Sequence, residues 1–138
     1  LPQHTPTVAT VRCPFTGSAV TAVAALVPDV TVVHAQRADR RGNVELRGPV
    51  GLQSDAVHAA RASIVTVEEI VDDLEPAPGA VVVPGSVVTA VVAAPGGAAP
   101  SRVHGFYERD DAALQEWADV SADRDRLGTW LDALGGTS

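Results

Sequence analysis

Two adjacent carboxylates, Glu68 and Glu69, follow the β-branched run Ser63-Ile64-Val65-Thr66-Val67. Acidic pairs at a strand terminus can bind substrate or perform acid–base chemistry, because α/β folds place ligands there. The same residues also fit a helix start, with Thr66 as cap and Glu69 three residues on. His34 stands at the end of a second such run, Val30-Thr31-Val32-Val33-His34-Ala35. It is the most interesting of the four histidines, although a hydrogen-bonded core histidine is the simpler reading there. His4, His34, His58 and His104 are scattered, with no i,i+4 pair or nearby Cys partner, so no metal set is expected. Ser86 follows Gly85 after a strand, but a nucleophile elbow needs a glycine two residues past the serine, and position 88 is Val. Gly96-Gly97 and Gly135-Gly136 fit neither dinucleotide nor phosphate-loop spacing. Asp39-Arg40-Arg41-Gly42-Asn43 could present Asn43 to a ligand, although a tight strand connection alone explains Gly42-Asn43.

The elements that must position these groups follow from composition and pattern. A chain of 138 residues suffices for one domain with one core. Its hydrophobic fraction, 46%, is carried by Val and Ala, which favour strands and helices respectively and so an α/β layout. Aromatic residues at 4% leave little to stack on nucleobases, and a net charge of -7 has the wrong sign for a phosphate backbone. Nucleic acid is not an expected partner. The single Cys13 excludes an internal disulfide framework, which fits a cytoplasmic location. No apolar run approaches the roughly 20 residues needed to span a bilayer, and Leu1-Pro2-Gln3-His4 lacks the regions of a signal peptide. With no Met at all, the chain is expected to be a processed product or a fragment of a longer polypeptide.

Along the chain, Val8 to Val11 reads as a short strand closed by Cys13-Pro14-Phe15-Thr16-Gly17, while Ser18 to Leu26 is undecided between helix and loop. The Val30 and Ser63 runs and Ala80-Val81-Val82-Val83 read as strands buried on both faces, and Val44-Glu45-Leu46-Arg47 as an alternating one. Ser54 to Ala62 reads as a helix capped by Ser54 or Asp55. Val87 to Ala93 fits strand or helix, and 95–100 is a loop on composition. From Asp110 the pattern is helical, with Trp117 and Trp130 as packing anchors and Gly135-Gly136 ending the run. Strands alternating with helices predict an α/β fold with an open, mainly parallel sheet and helices on both faces. The chain has few long helices for that, so part of the cover is expected from absent sequence or a second polypeptide.

Several of these segments, taken in order, resemble the A (alpha) subunits of CoA-transferases of the glutaconate type. His34-Ala35-Gln36-Arg37-Ala38-Asp39-Arg40-Arg41-Gly42-Asn43 is similar to their H-x-Q-x-x-D-x-x-G-N stretch. Ser63 to Asp72 resembles their I-V-T-V-E-E-I-V-D segment, 92–101 their V-P-G-G-A-x-P-S loop, and His104-Gly105-Phe106-Tyr107 the H-G-Y-Y that follows. Cys13-Pro14-Phe15-Thr16-Gly17 is also familiar from this group. Each piece is modest, but five in the right order cover nearly the whole chain. The chain departs from the family pattern at Thr89, where an acidic residue is frequent, and at Arg61-Ala62, where a basic pair is usual.

The resemblance implies a CoA-transferase-like fold in which residues 1–138 are the C-terminal portion of a single alpha-subunit domain, with C-terminal helices at about 110–134. It implies a hetero-oligomer that transfers CoA between an acyl-CoA thioester and a carboxylic acid through a glutamyl-CoA intermediate. The nucleophilic glutamate is expected in the partner B subunit or, for a hydrolase of this fold, in the missing half of the alpha subunit, so that role is not transferred to Glu68 or Glu69. Gln36, Asp39 and Asn43 are expected to shape the substrate pocket near the interface with that partner, with no metal and no permanently bound cofactor. Two alternatives remain open: a hydrolase of the same fold opening a ring in a steroid-derived CoA thioester, and a non-catalytic assembly module.

Overall fold

The computed structural model describes residues 5–135, with side chains to residue 133. His4 and Gly136 therefore lie outside the described residues, as does the side chain of Leu134. The core is a five-stranded sheet in the order β6-β4-β3-β5-β7. Its centre is the parallel pair β3 (Val30–Asp39) and β5 (Ala62–Val71), and β7 (Ala90–Ala93) extends it in parallel. On the other side β4 (Val44–Leu46) pairs antiparallel with both β3 and β6 (Val81–Val83). Within this sheet only β4 runs against the rest, so the sheet is mixed but mainly parallel, as the sequence predicts. β-branched Val, Ile and Thr dominate these strands because their stiff side chains pack well on a pleated surface. Ala35, Ala38, Val44, Leu46, Val57, Val65, Val67 and Val83 form one buried cluster.

Parallel strands need a long crossover. The one between β3 and β5 carries β4 and the short helix α1 (Gln53–Ala59), whose Val57 enters the core. Thr31 Oγ1 on β3 donates to the Ala56 carbonyl of α1 at 3.0 Å. The helix stops before Ala62 because Ala60 turns extended (φ -79°, ψ 155°), and no side chain caps its start. Ser54 and Asp55 thus lie inside it. Among the described residues α1 is the helix seated on the sheet, and the face bearing His34 leaves Val32, Ile64 and Val92 exposed. The expected helix cover of both faces is therefore not supplied by these residues.

Two further units flank the sheet. Ser18 to Leu26, undecided in sequence, forms β2 (Ala19–Val23), which pairs with β1 (Val8–Arg12) as an antiparallel hairpin with exposed Phe15 in its turn. At the other end Asp110 caps α2 (Asp111–Ser121) by accepting from the Ala113 N–H at 3.0 Å. The Asp123 carboxylate starts α3 (Arg124–Gly135), and Trp117 meets Trp130 with ring centroids 5.0 Å apart. No helix among the described residues is long and apolar enough to cross a membrane.

Candidate functional site

Register places the chemistry. In the parallel pair His34 lies opposite Thr66, and alternation puts Glu68, two residues on, on the same face. The His34 ring is held between them, with Nδ1 2.8 Å from Thr66 Oγ1 and Nε2 2.7 Å from Glu68 Oε1. A carboxylate only accepts, so Nε2–H donates to Glu68. Glu69 falls on the opposite face, exposed and opposite Arg37. The two glutamates therefore cannot act as a pair. Nor do they start a helix: β5 runs straight through Thr66 to Val71, so the capping reading fails.

β7 ends opposite Val67, and the turn that follows folds over Glu68. Gly96 N–H donates to Glu68 Oε2 at 2.7 Å, and Tyr107 O–H donates to Oε1 at 2.6 Å. The phenol oxygen in turn accepts from the Ala98 N–H at 3.1 Å. Gly96 takes φ +76° in this turn, a conformation costly for residues with a side chain. A β-carbon at Gly97 would meet the Ala94 carbonyl at 2.8 Å and the His34 ring at 3.3 Å. The Gly96-Gly97 pair is thus explained by an amide aimed at Glu68 and by room beside His34.

Burial alone would push the Glu68 carboxyl up, but hydrogen bonds from Tyr107, Gly96 and His34, with the His34 charge, hold it below the usual carboxylate range. Burial and the neighbouring Glu68 raise the Tyr107 phenol, which therefore keeps its proton and donates. A second buried carboxylate lies on β4. Glu45 accepts from Arg37, Arg47 and the Ala77 N–H. Burial opposes its ionisation, yet these donors and the Arg37 charge bring it down to about 2.

In front of His34 opens a cavity of 370 Å³, lined by His34, Gln36, Arg47, Gln53, Arg102 and His104 among others. Its polar groups include two arginines, two histidines and two amides, and among the described residues no carboxylate lines it, although Arg47 is paired with Glu45 and Arg102 with Glu108. It lies where the 98–104 segment crosses the strands, and its amides and imidazoles can hydrogen-bond a polar ligand. A larger cleft of 670 Å³ beside Trp117 and Trp130 is mostly apolar and holds no comparable cluster of polar groups.

Of the residues singled out in sequence, Gln36 reaches the cavity. Its carboxamide also clamps Arg47, with Oε1 accepting the Arg47 N–H at 2.9 Å. Asp39 and Asn43 are not brought there. Asp39 accepts the Arg41 and Asn43 N–H groups, each at 2.9 Å, and Asn43 Nδ2 at 2.8 Å. Asn43 Oδ1 accepts the Gly85 N–H at 3.0 Å. Asp39 lines a separate cavity of 340 Å³ with Arg40 and Arg41. Sequence chemistry does not single out Arg47, Gln53, Arg102 or Tyr107, since nothing local marks them. Only the polar tip on an otherwise buried-type aromatic hints at Tyr107.

Comparison with known proteins fits this geometry. The family model for Coenzyme A transferase matches residues 7–94. The chain is 48% identical over 132 residues to the A chain of the 3-oxoadipate CoA-transferase of Pseudomonas knackmussii, covering 96% of this chain and 47% of that protein. It is 40% identical over 107 residues to the corresponding alpha chain of the glutaconate CoA-transferase of Acidaminococcus fermentans, covering 76% of this chain and 33% of that one. The crystal structure of the latter enzyme superposes with a TM-score of 0.74 at 30% identity, over 92% of this chain and 41% of that one. A variant of the decarboxylase AibA/AibB gives the same TM-score at 35% identity, over 91% and 47%. The chain thus spans half or less of the length of these relatives. With the family model covering more than half of its residues, the chain belongs to the Coenzyme A transferase family.

Proposed function

We propose that this chain forms part of the alpha subunit of an acyl-CoA transferase, which moves CoA between an acyl-CoA thioester and a carboxylic acid. The reading rests on family membership and on the two alpha-type transferase relatives. One structural observation carries the division of labour. The buried carboxylates Asp39, Glu45 and Glu68 each accept three hydrogen bonds, while the cavity beside His34 has amides, imidazoles and ion-paired arginines in its wall and, among the described residues, no carboxylate. A carboxylate whose lone pairs are already engaged is a poor nucleophile. The chain therefore supplies a binding wall, and a glutamate of a partner B subunit supplies the attack.

In that reaction the partner's carboxylate attacks the thioester carbonyl, releasing CoA thiolate and forming a mixed anhydride. The thiolate then attacks the glutamyl carbonyl, giving an enzyme thioester and the free acid, and the acceptor acid reverses the sequence. Dividing acyl transfer this way replaces one difficult step by easier ones. Gln36 forms the wall that the substrate carboxylate meets, with Arg102 and His104 opposite it. Asp39 and Asn43 act one step back, by fixing the β3–β4 turn from which that wall extends. CoA is the travelling substrate, and no resident cofactor is required.

The test combines the full polypeptide containing this chain with its B subunit, an acyl-CoA and a carboxylate acceptor, and follows thioesters by mass spectrometry. New acceptor-CoA is expected. Free CoA, a ring-opened thioester or loss of carbon dioxide, with no acceptor adduct, would overturn the transferase reading.

A further inference from the structure

The loop from Ala94 to Tyr107 carries one wall of the cavity, including Ala98, Arg102 and His104, yet it contains no long element of secondary structure. Its internal ties are short turns and the bridge between Val103 and Tyr107. Val103 is buried, and His104 packs over Gly48. The side-chain hydrogen bonds that tie this loop to the sheet converge on one atom group. Glu68 on β5 receives Gly96 at the loop's beginning and Tyr107 at its end, and the same phenol holds Ala98 in between. His34, on β3, completes the set from the cavity side.

We infer that Glu68 is a positioning residue: its carboxylate latches both ends of the 94–107 loop to the sheet, and so sets the cavity wall that carries Arg102 and His104. A carboxylate offers acceptors on both oxygens to all three donors, whereas a glutamine keeps the Gly96 bond through its oxygen only if the Tyr107 and His34 bonds reverse to accept from its NH₂ group. Burying a charge is costly, and an apolar residue would fill the space with less penalty. The cost is offset because three donors, one from β3 and two from the 94–107 loop, meet there. The groups facing Glu68 are His34 from β3, Tyr107 and the Gly96 amide, and the lowered carboxyl range of Glu68 is the electrostatic counterpart of that convergence. This role rests on the proposed transferase reading for its kinetic consequence, but not for its structural one.

Two measurements separate the layers. Hydrogen exchange followed by mass spectrometry is run on the full polypeptide containing this chain, as wild type, Glu68→Gln, Tyr107→Phe and the control Glu69→Gln. Exchange across 94–107 is expected to accelerate by about tenfold or more in E68Q. A smaller acceleration is expected in Y107F, with no change in the control or in the β1–β2 hairpin. Unchanged exchange of the loop in both E68Q and Y107F would overturn the latch. Should E68Q not fold, Y107F decides the question, because it removes one donor and leaves the charge in place.

The second measurement places Y107F and E68Q in the assembled transferase. A rise in KM for the acceptor acid of about tenfold, with kcat within about twofold, is the expected signature of a displaced binding wall. A fall in kcat at unchanged KM would overturn the positioning role. If the wild-type assembly forms no acceptor-CoA, the functional reading fails, and the exchange experiment still decides the latch by itself.

Discussion

Two carboxylate-centred turns, one closing β3 and one folded over β5, share a plan. Around Asp39 the chain reverses through Gly42 at φ +84°, and Gly85 passes so close that an added β-carbon would lie 2.2 Å from the Arg41 carbonyl. Around Glu68 the chain reverses through Gly96 at φ +76°, and Gly97 passes close to His34. The difference lies in where the donors come from. Those of Asp39 are Arg41 and Asn43, two and four residues away. Those of Glu68 are Gly96, His34 and Tyr107, 28, 34 and 39 residues away. A carboxylate satisfied by its own turn shapes that turn. One satisfied by β3 and by both ends of a distant loop holds a tertiary arrangement together, and here that arrangement borders the cavity that His34 lines.

The comparison can be broken by substitution. Glu68→Ala leaves the half-buried Tyr107 phenol, the Gly96 amide and the His34 ring without their acceptor, so a loss of about 2–3 kcal/mol is expected. Asp39→Ala frees donors that already lie at a turn, and about 1–2 kcal/mol is expected. Denaturant midpoints of the two variants measure the gap, and equal losses would erase the distinction.

Glycine replacements sharpen it. Gly97→Ala presses on the Ala94 carbonyl and the His34 ring, costing about 1–3 kcal/mol and disturbing the cavity. Gly42→Ala meets nothing nearer than 3.5 Å, so its cost is confined to the positive φ, about 1–2 kcal/mol. Only the first should alter the environment of His34, as read by the NMR shifts of its ring.

The pH dependence provides a third comparison. An unfolded glutamate takes up its proton near pH ~4.3, whereas folded Glu45 holds its carboxylate down to about 2. Glu68 is displaced in the same direction. A lowered folded value means that the folded state binds fewer protons, so this stability is complete above the unfolded value. It is lost as pH falls through the folded one. For Glu45 the amount is about 3 kcal/mol, lost between about pH 5 and pH 2. Thermal midpoints of wild type and Glu45→Gln should converge as pH falls through that window, and midpoints that stay parallel would contradict the assignment. The smallest effect is expected at the surface. Arg40 pairs with Asp72 in the open, and Arg40→Ala should cost no more than about 0.5–1 kcal/mol.

The same contrast explains what can be read from the chain alone. The Val30 and Ser63 runs announce themselves as strands because β-branched residues recur without interruption, and both are strands of the parallel centre, but burial on both faces is not met, since Val30, Val32 and Ile64 are exposed. The Asp39–Asn43 turn is readable because its hydrogen bonds close within four residues. Glu68 is not, since Thr66 and Glu69 mimic a helix cap locally and only the pairing of β5 with β3 overrides that preference. Likewise the expectation of Asp39 and Asn43 as pocket residues follows their place in a motif. Their side chains are spent on the turn and on Gly85, while Gln36, three residues before Asp39, faces the cavity. Tyr107 and Arg102 become site residues only once the loop has folded back, and no spacing rule encodes that.

The central claim is that this chain builds a binding wall while the attacking carboxylate comes from a partner. The most direct measurement incubates the assembled enzyme with acyl-CoA, without acceptor, and maps the covalent CoA adduct by peptide mass spectrometry. The account predicts an adduct on a glutamate of the partner polypeptide, with none on any peptide of this chain. An adduct on Glu68, or on any other carboxylate in these 138 residues, would contradict it.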